Sequence, residues 1–305
     1  MSCSAVSSLF SVIKLLEGRI DTIMMFFKKK NKDPKSELKE MFANYELPSF
    51  PVAVMSVLSA LRDPDVSVSE IAGKVENDPG LHVKILKTVN SAAFGLSRHV
   101  DNLHRAVALL GRSRLETIVL TQAVNRALPK ADTPYFDMHK FWQSSAKKAS
   151  LARHLAHHIH PTTQVESFTA GLLQDLALPI LVTMKPKEYS AIFKRYNEDP
   201  SLDIAELEQE ALGYDHSTVG AMIAEEWGLP QYLVNSINNH HAVSDAAPVY
   251  PAINLVTHVF GYRDDDSLED LIAICTEDYG LSKELVESIV ETALKDASDL
   301  AKMLK

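Results

Sequence analysis

Helical periodicity, interrupted repeatedly by prolines and capping residues, is the feature of this 305-residue chain that most restricts its fold. Apolar residues recur at helical spacing through most of the sequence, and no stretch of any length alternates as a half-buried strand would. Only 11 glycines are present, and long runs of β-branched residues are few. The sequence therefore predicts an all-α protein.

Several helix boundaries can be placed from local signals. Ser67 and Glu70 form a predicted capping box, and Asp78-Pro79 ends one helix and caps the next. Gly111 is expected to close a short helix that begins at Leu103. A long helix is expected from about Met138 to Ile159, and another begins near Gln164. The break from Pro129 to Pro134, where Pro, Lys, Asp and Thr replace the periodic pattern, is the best candidate for a domain boundary.

Changes in composition divide the chain into a leader, two packed helical lobes and a helical C-terminal extension. The leader is expected to be disordered or partly artefactual, with Met24 as a candidate true start of translation. The four predicted segments are residues 1–40 (leader), 41–130 (N-terminal lobe), 131–263 (second lobe) and 264–305 (acidic C-terminal helices).

Charge and cysteine content exclude several classes of protein. The formal net charge of −9 argues against a nucleic-acid partner, because a phosphate backbone favours a basic surface. Cys3 and Cys275 are the only cysteines, so neither a disulfide framework nor a cysteine zinc site is expected, and a reducing cytoplasm is the simplest location. Charged residues interrupt the apolar stretch from Ala5 to Phe27, so we expect no transmembrane segment.

Five candidate metal ligands lie in stretches that the pattern predicts to be helical: Asp175, His216, His240, His241 and His258. A helix that presents an Asp directly after a His is a common way to hold a divalent cation. Here the residue before Asp175 is Gln174, whose neutral amide is a weak ligand where imidazole is usual. The pattern therefore resembles a metal site that has lost part of its chemistry.

Two further groups of residues carry hypotheses of their own. A candidate anion or nucleic-acid patch consists of Arg98, Arg105, Arg112 and Arg114. We favour an ordinary basic surface for it, because the aromatic residues needed for base stacking are not interleaved there. A second group, His154, His157, His158 and His160, is interpreted as a solvated helix end before Pro161 rather than a surface metal site.

The order and spacing of several motifs resemble the HDOD family, a bacterial signalling output domain related to the HD phosphohydrolases. The resemblance covers roughly residues 40–262. In the N-terminal lobe its motifs are Leu47-Pro-Ser-Phe-Pro51, Asp78-Pro-Gly-Leu, Val89-Asn-Ser-Ala-Ala-Phe94 and Ala106-Val-Ala-Leu-Leu-Gly111. In the second lobe they are Gly171-Leu-Leu-Gln-Asp175, Gly213-Tyr-Asp-His216, Trp227-Gly-Leu-Pro230 and Ile237-Asn-Asn-His-His241.

The resemblance implies a helical fold, a regulatory role and a degenerate metal site. Active HD relatives use a His, a His-Asp dyad, later His residues and a final Asp. On this chain those positions correspond to Ser144, to Gln174-Asp175, to His216 with His240 or His241, and to His258. Three expected ligands are thus replaced, so a two-metal centre is not expected. We favour a metal-free polar cluster without a cofactor, with one divalent ion on Asp175, His216 and His240 as the alternative.

Three functions remain open from these residues. The favoured one is a non-catalytic cytoplasmic adaptor that transmits a signal by binding another signalling protein, with a groove near the 129–137 linker as the candidate interface. The second is a metal-dependent phosphohydrolase acting on a nucleotide or cyclic dinucleotide. The third, a nucleic-acid-binding regulator, rests only on the arginine patch and is opposed by the net charge.

Overall fold

In a computed structural model the chain divides into two compact units, residues 1–44 and residues 45–305. The features analysed all belong to the second unit. The residues that the structure describes are 40, 42, 45–90, 98–131, 133–241, 250–257, 259 and 268–303. Within them the regular structure is helical and no strand is formed, which confirms the predicted all-α fold.

Among the described residues, four helices precede the predicted domain boundary. They are α1 (Val52–Arg62), α2 (Val68–Glu76), α3 (Pro79–Val89) and α4 (Leu103–Ala127). Helix α4 is broken at Gly111, whose φ of 71° lies outside the helical region. The break lies where the sequence predicts a glycine to close one short helix before the next begins.

Ten helices follow the boundary in the part of the chain that the structure describes. They are α5 (Met138–Ile159), α6 (Gln164–Leu173), α7 (Ala177–Met184), α8 (Pro186–Glu198), α9 (Ile204–Leu212), α10 (His216–Glu226), α11 (Gln231–Asn239), α12 (Pro251–Thr257), α13 (Glu269–Glu277) and α14 (Lys283–Met303). A 3₁₀ turn at Pro161–Thr163 joins α5 to α6. Helix α5 packs against α6, α12 and α14, so it forms the centre of this region.

Side-chain caps explain where several helices begin. Ser67 and Glu70 form the predicted reciprocal capping box at α2. At α3 the Asp78 carboxylate accepts the Leu81 N–H, and Pro79 occupies the first turn, where a missing N–H costs no hydrogen bond. These contacts satisfy amides that a helix cannot satisfy internally.

The region before α1 packs against the end of α10. The Trp227 Nε1–H donates to the Pro48 carbonyl at 3.0 Å, and the rings of Phe50 and Trp227 lie 5.3 Å apart. A second contact joins α4 to α6, where the hydroxyls of Thr117 and Thr169 are 2.7 Å apart. The motifs that contain Pro48 and Trp227, 179 residues apart in the sequence, therefore meet in the fold.

The 129–137 linker packs onto α8. Tyr135 donates its hydroxyl to the Pro186 carbonyl at 2.5 Å, and the Tyr135 and Phe136 rings lie 6.0 and 5.7 Å from that of Phe193. Aromatic side chains thus fill the contact between this linker and α8. The proposed partner groove near the linker stays a prediction.

Helices α5 and α6 approach each other closely at Gly171. A Cβ placed on Gly171 would lie 3.1 Å from the Lys148 carbonyl oxygen and 3.2 Å from the Ala149 Cα. Both neighbours are backbone atoms and cannot rotate away. The glycine therefore fixes the spacing between the two helices next to Lys148.

One segment of the described residues is long and apolar enough to cross a membrane. It runs from Pro161 to Met184 with a mean hydropathy of 1.4, and 83% of its most apolar window is buried inside the protein. A core segment of a folded domain meets the same length and hydropathy test. The segment is therefore weak evidence for a membrane span.

Substituting Gly171 tests the close approach. We expect Gly171→Ala to destabilise the fold by about 1–3 kcal/mol, because a methyl group must push two helix backbones apart. The matched control is Gly73→Ala in α2, where no atom lies within 4 Å of the new Cβ. The control should be stabilising by about 0.5–1 kcal/mol, since alanine favours a helix interior over glycine. Urea denaturation of both variants gives the comparison, and equal effects of the same sign would contradict the helix spacing argument.

Candidate functional site

The predicted ligands lie at the ends of helices rather than within them. Asp175 is in the turn between α6 and α7, His216 is the first residue of α10, and His240 and His241 form the turn after α11. The sequence-based expectation of helical positions is therefore wrong for Asp175, His240 and His241. Helix ends can converge on one point from different directions, which explains how residues so distant in sequence meet here.

These four residues form a compact group, named the Asp175 cluster. The Nε2 atom of His216 lies 3.2 Å from His240 Nε2, 3.1 Å from His241 Nε2 and 3.3 Å from Asp175 Oδ1. His240 Nε2 is also 3.3 Å from Asp175 Oδ1. All four donor atoms lie within 4.8 Å of one another. Three of the residues are buried and His241 is nearly so.

The two oxygens of Asp175 have different partners. Oδ2 accepts a hydrogen bond from Lys148 Nζ at 2.7 Å, in an ion pair with both side chains 3% exposed or less. Oδ1 faces His216 and His240 but makes no hydrogen bond of acceptable geometry with either. Burial alone would raise the pKa of Asp175, but Lys148 and the two imidazoles hold it well below its usual range. The carboxylate is therefore ionised.

The imidazoles of His216 and His240 are oriented by hydrogen-bond acceptors at their Nδ1 atoms. Glu208 Oε2 accepts both the backbone N–H and the Nδ1–H of His216, each at 2.7 Å. The Ile237 carbonyl accepts from His240 Nδ1 at 2.6 Å, and Asp203 Oδ2 lies 3.4 Å from His241 Nδ1. Because carboxylate and carbonyl oxygens only accept, Nδ1 carries the proton in the rings of His216 and His240. In the neutral form of each ring, Nε2 then presents a lone pair to the centre of the cluster.

Glu208 is itself held in place. It is fully buried in α9, and its Oε1 accepts the Tyr189 hydroxyl at 2.7 Å. Burial, followed by the nearby Glu208 charge, raises the pKa of Tyr189 well above its usual range. Tyr189 therefore stays a hydroxyl donor and fixes the carboxylate that orients His216.

The electrostatic environment differs between the imidazoles. Burial disfavours a charged His216, but Glu208 and Asp175 raise its pKa to about 10. Burial and the neighbouring His241 lower the pKa of His240 to about 3. In the protein without a metal, His216 therefore carries a proton on both ring nitrogens, whereas His240 is neutral. The proton on His216 Nε2 can point at only one of the three atoms around it.

The spacing of the donor atoms fits a tetrahedral metal ion. Two ligands of a zinc ion, each about 2.0–2.1 Å from the metal, lie roughly 3.3–3.4 Å apart. Four of the six separations among the donor atoms of the Asp175 cluster are 3.1–3.3 Å, and all six lie within 4.8 Å. Protonated Nδ1 atoms on carboxylate or carbonyl acceptors are also the usual outer contacts of metal-bound histidines. The cluster is a potential metal-binding site, and it includes His241 beside the three ligands expected for a single ion.

The remaining predicted positions are Gln174, Ser144 and His258. Gln174 is buried, and its Nε2 donates to Thr257 on α12 at 3.2 Å, while its Oε1 lacks a hydrogen-bond partner. Ser144 is buried on α5, one turn before Lys148. His258 lies outside the described residues.

The sequence analysis missed Lys148, Glu208, Asp203 and Tyr189. Lysine and glutamate are usually exposed on helices, so their presence in α5 and α9 carried no signal by itself. A weak one existed. Lys148 lies one turn after Ser144 and next to Ala149, on a helix stretch that is rich in small residues. Glu208 lies one turn after Ile204 and next to Leu207, on the buried face of α9.

The arginine patch does not form a single surface. Arg112 donates to the carbonyls of Ala60, Leu61 and Asp63 at 2.7–3.1 Å, and to that of Val66. It thus caps the end of α1 and the turn that follows. Arg98, Arg105 and Arg114 are exposed. The nucleic-acid hypothesis loses one of its four cations to a structural role.

A sequence family model described as the HDOD domain matches residues 47–243. A protein of Treponema pallidum (strain Nichols), named only as uncharacterized, is 26% identical over 216 residues. The match covers 69% of this chain and 41% of that protein. This chain therefore spans less than half the length of that relative.

Solved structures with the same fold come from several bacteria. A candidate phosphohydrolase from Shewanella amazonensis is 24% identical, with a TM-score of 0.69 and coverage of 89% of this chain and 98% of that one. An HDOD domain protein of unknown function from Geobacter sulfurreducens is 20% identical, with a TM-score of 0.67 and coverage of 89% and 99%. A candidate signal transduction protein from Marinobacter aquaeolei is 20% identical, with a TM-score of 0.69 and coverage of 87% and 61%. At these identities the likeness establishes the fold.

Replacing Arg112 tests its structural role. We expect Arg112→Gln to lower the free energy of unfolding by about 1.5–3 kcal/mol, because several carbonyls lose a charged donor. Arg105→Gln, at an exposed position, should change it by less than about 0.5 kcal/mol. Urea unfolding of the two variants measures the difference. If Arg112→Gln leaves the free energy of unfolding unchanged, Arg112 has no structural role and is again a candidate for binding an anion.

Replacing Lys148 tests the buried ion pair. In the presence of a chelator, Lys148→Met should cost about 3–5 kcal/mol, because it leaves the Asp175 carboxylate buried without its cation. Adding Asp175→Asn to Lys148→Met should restore part of that loss, since the uncompensated charge is removed. A thermodynamic cycle of the wild type, the two single variants and the double variant gives the coupling. Strictly additive effects would show that the two side chains do not interact.

Proposed function

The chain belongs to the HDOD domain family, and from that premise we propose that it is a non-catalytic cytoplasmic signal-transduction protein that acts by binding another signalling protein. In this proposal the Asp175 cluster holds one divalent cation in a closed structural site. The observation that carries it is the convergence of four protein donors, all within 4.8 Å of one another and with four of their six separations at 3.1–3.3 Å.

A cation satisfies the cluster better than a proton does. Without one, the Nε2 atoms of His216, His240 and His241 lie close together beside an ionised carboxylate oxygen that has no hydrogen bond, and the Nε2 of His216 carries a proton. One proton on His216 can relieve one of these contacts. A divalent ion accepts all four lone pairs at once, and a nitrogen-rich donor set with one carboxylate suits zinc or a similar first-row metal.

The number of protein ligands favours a structural role for that cation. Catalytic zinc sites keep three protein ligands and leave the fourth position to water or substrate, whereas structural sites are closed by four. The Asp175 cluster offers four ligands and lies in the protein interior. A closed site ties the α6–α7 turn to α10 and α11 and leaves no position for a hydrolytic water.

Lys148 supports a single ion rather than two. A carboxylate that bridges two metals uses both of its oxygens, and in this chain Asp175 Oδ2 is occupied by the Lys148 ammonium at 2.7 Å. The buried ammonium supplies a fixed positive charge on that side of the carboxylate. The two-metal arrangement that phosphoester hydrolysis often uses is thereby disfavoured.

The second candidate is a metal-dependent phosphohydrolase acting on a nucleotide or cyclic dinucleotide. The donor types of the Asp175 cluster favour it, because His and Asp ligands also serve hydrolytic centres. Whether His241 binds the metal distinguishes the two functions. If it leaves the metal, the ion gains an open position; if it stays, the site is closed.

Metal analysis of the purified protein tests the proposal. We expect about one divalent ion per chain, lost in Asp175→Ala and in His241→Gln. His158→Gln, an exposed imidazole at the end of α5, is the matched control and should retain the metal. Chelation should lower the melting temperature of the wild type and of the control, because binding to the folded state adds stability. Unchanged metal content in His241→Gln would contradict the closed site.

Activity assays separate the two candidate functions. The wild type, loaded with zinc, manganese, iron or nickel, should not hydrolyse cyclic dinucleotides, nucleotides or generic phosphoesters. Metal-dependent turnover that Asp175→Ala abolishes would overturn the non-catalytic proposal and support the phosphohydrolase.

A further inference from the structure

A cavity of about 560 Å³ lies apart from the Asp175 cluster, among α3, α4, α5, α6 and α14. No member of the cluster lines it. Its volume falls within the range of small-molecule sites. Part of its wall comes from α14, which lies beyond residues 47–243 and so outside the portion matched by the family model.

The lining of the cavity is basic on a protein whose formal net charge is −9. Lys84, Arg114 and Arg153 contribute three cations, and His154 and His157 lie beside them. One carboxylate, that of Asp296, is part of the lining. Clefts lined by charges of one sign concentrate ligands of the opposite sign, so this cavity favours an anion.

Lys84 adds to that preference. It is half-buried, and among the described residues no carboxylate lies within ion-pair distance of it. Burial, together with the neighbouring Lys87, lowers its pKa from the usual value. A bound anion would remove that unfavourable environment.

The Asp296 carboxylate already occupies the position of an anion. Its Oδ2 accepts hydrogen bonds from Arg153 Nη2 and His154 Nε2, each at 3.0 Å. The Arg153 and Asp296 side chains are 43% and 39% exposed, so the interaction is weak and can be displaced. A phosphate group offers the same two donors more oxygens and more charge.

The other walls suit an organic group. Ile118, Phe168 and Leu172 contribute apolar surface, and the Arg153 guanidinium lies 5.6 Å from the centre of the Phe168 ring. The lining also includes Ser150, whose buried hydroxyl has no hydrogen-bond partner. Such a hydroxyl costs free energy unless a ligand or water bonds to it.

We propose that this cavity binds a phosphate monoester with an apolar or planar organic group, of mononucleotide size. The phosphate replaces Asp296 at Arg153 and His154, with Lys84 as a further cation, and the organic group packs on Phe168. Displacing Asp296 removes one of the contacts that hold α14 against α5. Ligand binding is thereby linked to the attachment of the C-terminal helix.

Calorimetric titration with adenosine monophosphate, cyclic adenosine monophosphate, adenosine and inorganic phosphate tests the ligand class. The monoester should bind more tightly than the cyclic diester, because it carries about two negative charges where the diester carries one. Adenosine should bind at least tenfold more weakly than the monoester, because it lacks the group that Arg153 and Lys84 contact.

Two variants with opposite expected effects locate the site. Arg153→Gln should weaken binding of adenosine monophosphate at least tenfold, because a charged donor is lost. Asp296→Asn should strengthen it by about two- to fivefold, because a weak competing carboxylate is removed. Lys194→Gln and Glu287→Gln are matched controls at exposed positions outside the cavity, and each should stay within about twofold of the wild type. Hydrogen exchange of α14 should increase when the monoester binds.

Three results would overturn the proposal. One is the absence of phosphate-ester binding by the wild type and by folded Asp296→Asn. Another is equal affinity of Arg153→Gln and the Lys194→Gln control. The third is tighter binding of the diester than of the monoester. None of the substituted residues belongs to the Asp175 cluster, so these results can overturn the cavity proposal and leave the proposed metal site standing.

Discussion

The ionised Asp175 carboxylate is the group on which the arrangement of the surrounding helices depends. Its burial is tolerated because Lys148 neutralises one oxygen and the imidazoles surround the other. These partners come from α5, from the start of α10 and from the turn after α11, so one charge fixes the positions of three separate elements. Glu208 and Tyr189 extend the same network to α9 and α8 through His216. A hydrophobic contact would fix these helix ends less specifically, since apolar packing has no directional requirement.

Local signals in the sequence were sufficient for much of the helical framework. Helix α5 runs from Met138 to Ile159 as its periodicity predicts, and the Ser67 capping box and the break at Gly111 are present. Such features depend on residues within one or two turns of each other, so a single segment contains the information. The turn that carries Asp175 was different. Its residues keep nearly helical backbone angles, with φ and ψ of −56° and −35° at Gln174, so periodicity could not separate it from the helices on either side.

The candidate site could be predicted only in part, because its ligands and the charged residues that contact them leave different signals in the sequence. Histidines and an aspartate in family motifs were identifiable from residue type and order alone. Lys148 and Glu208 were not, since buried charges are recognised by their partners, and those partners lie 27 and 8 residues away on other elements. The role of Arg112 was hidden for the same reason. Its acceptors are backbone carbonyls about 50 residues earlier, which no side-chain pattern reveals.

Helices α5 and α6 connect the two polar regions of the second lobe. Helix α5 carries Lys148 at the Asp175 cluster and Arg153 at the cavity, five residues apart along one rigid element. Helix α6 carries Phe168 at the cavity and leads directly into the turn of Asp175. At Gly171 the two backbones approach so closely that an added methyl group would crowd the Lys148 carbonyl. Because Lys148 and Arg153 share one helix, a ligand that displaced α5 at the proposed anion site would also displace Lys148. The α5–α6 pair is therefore the part of the structure that physically joins the cavity to the Asp175 cluster.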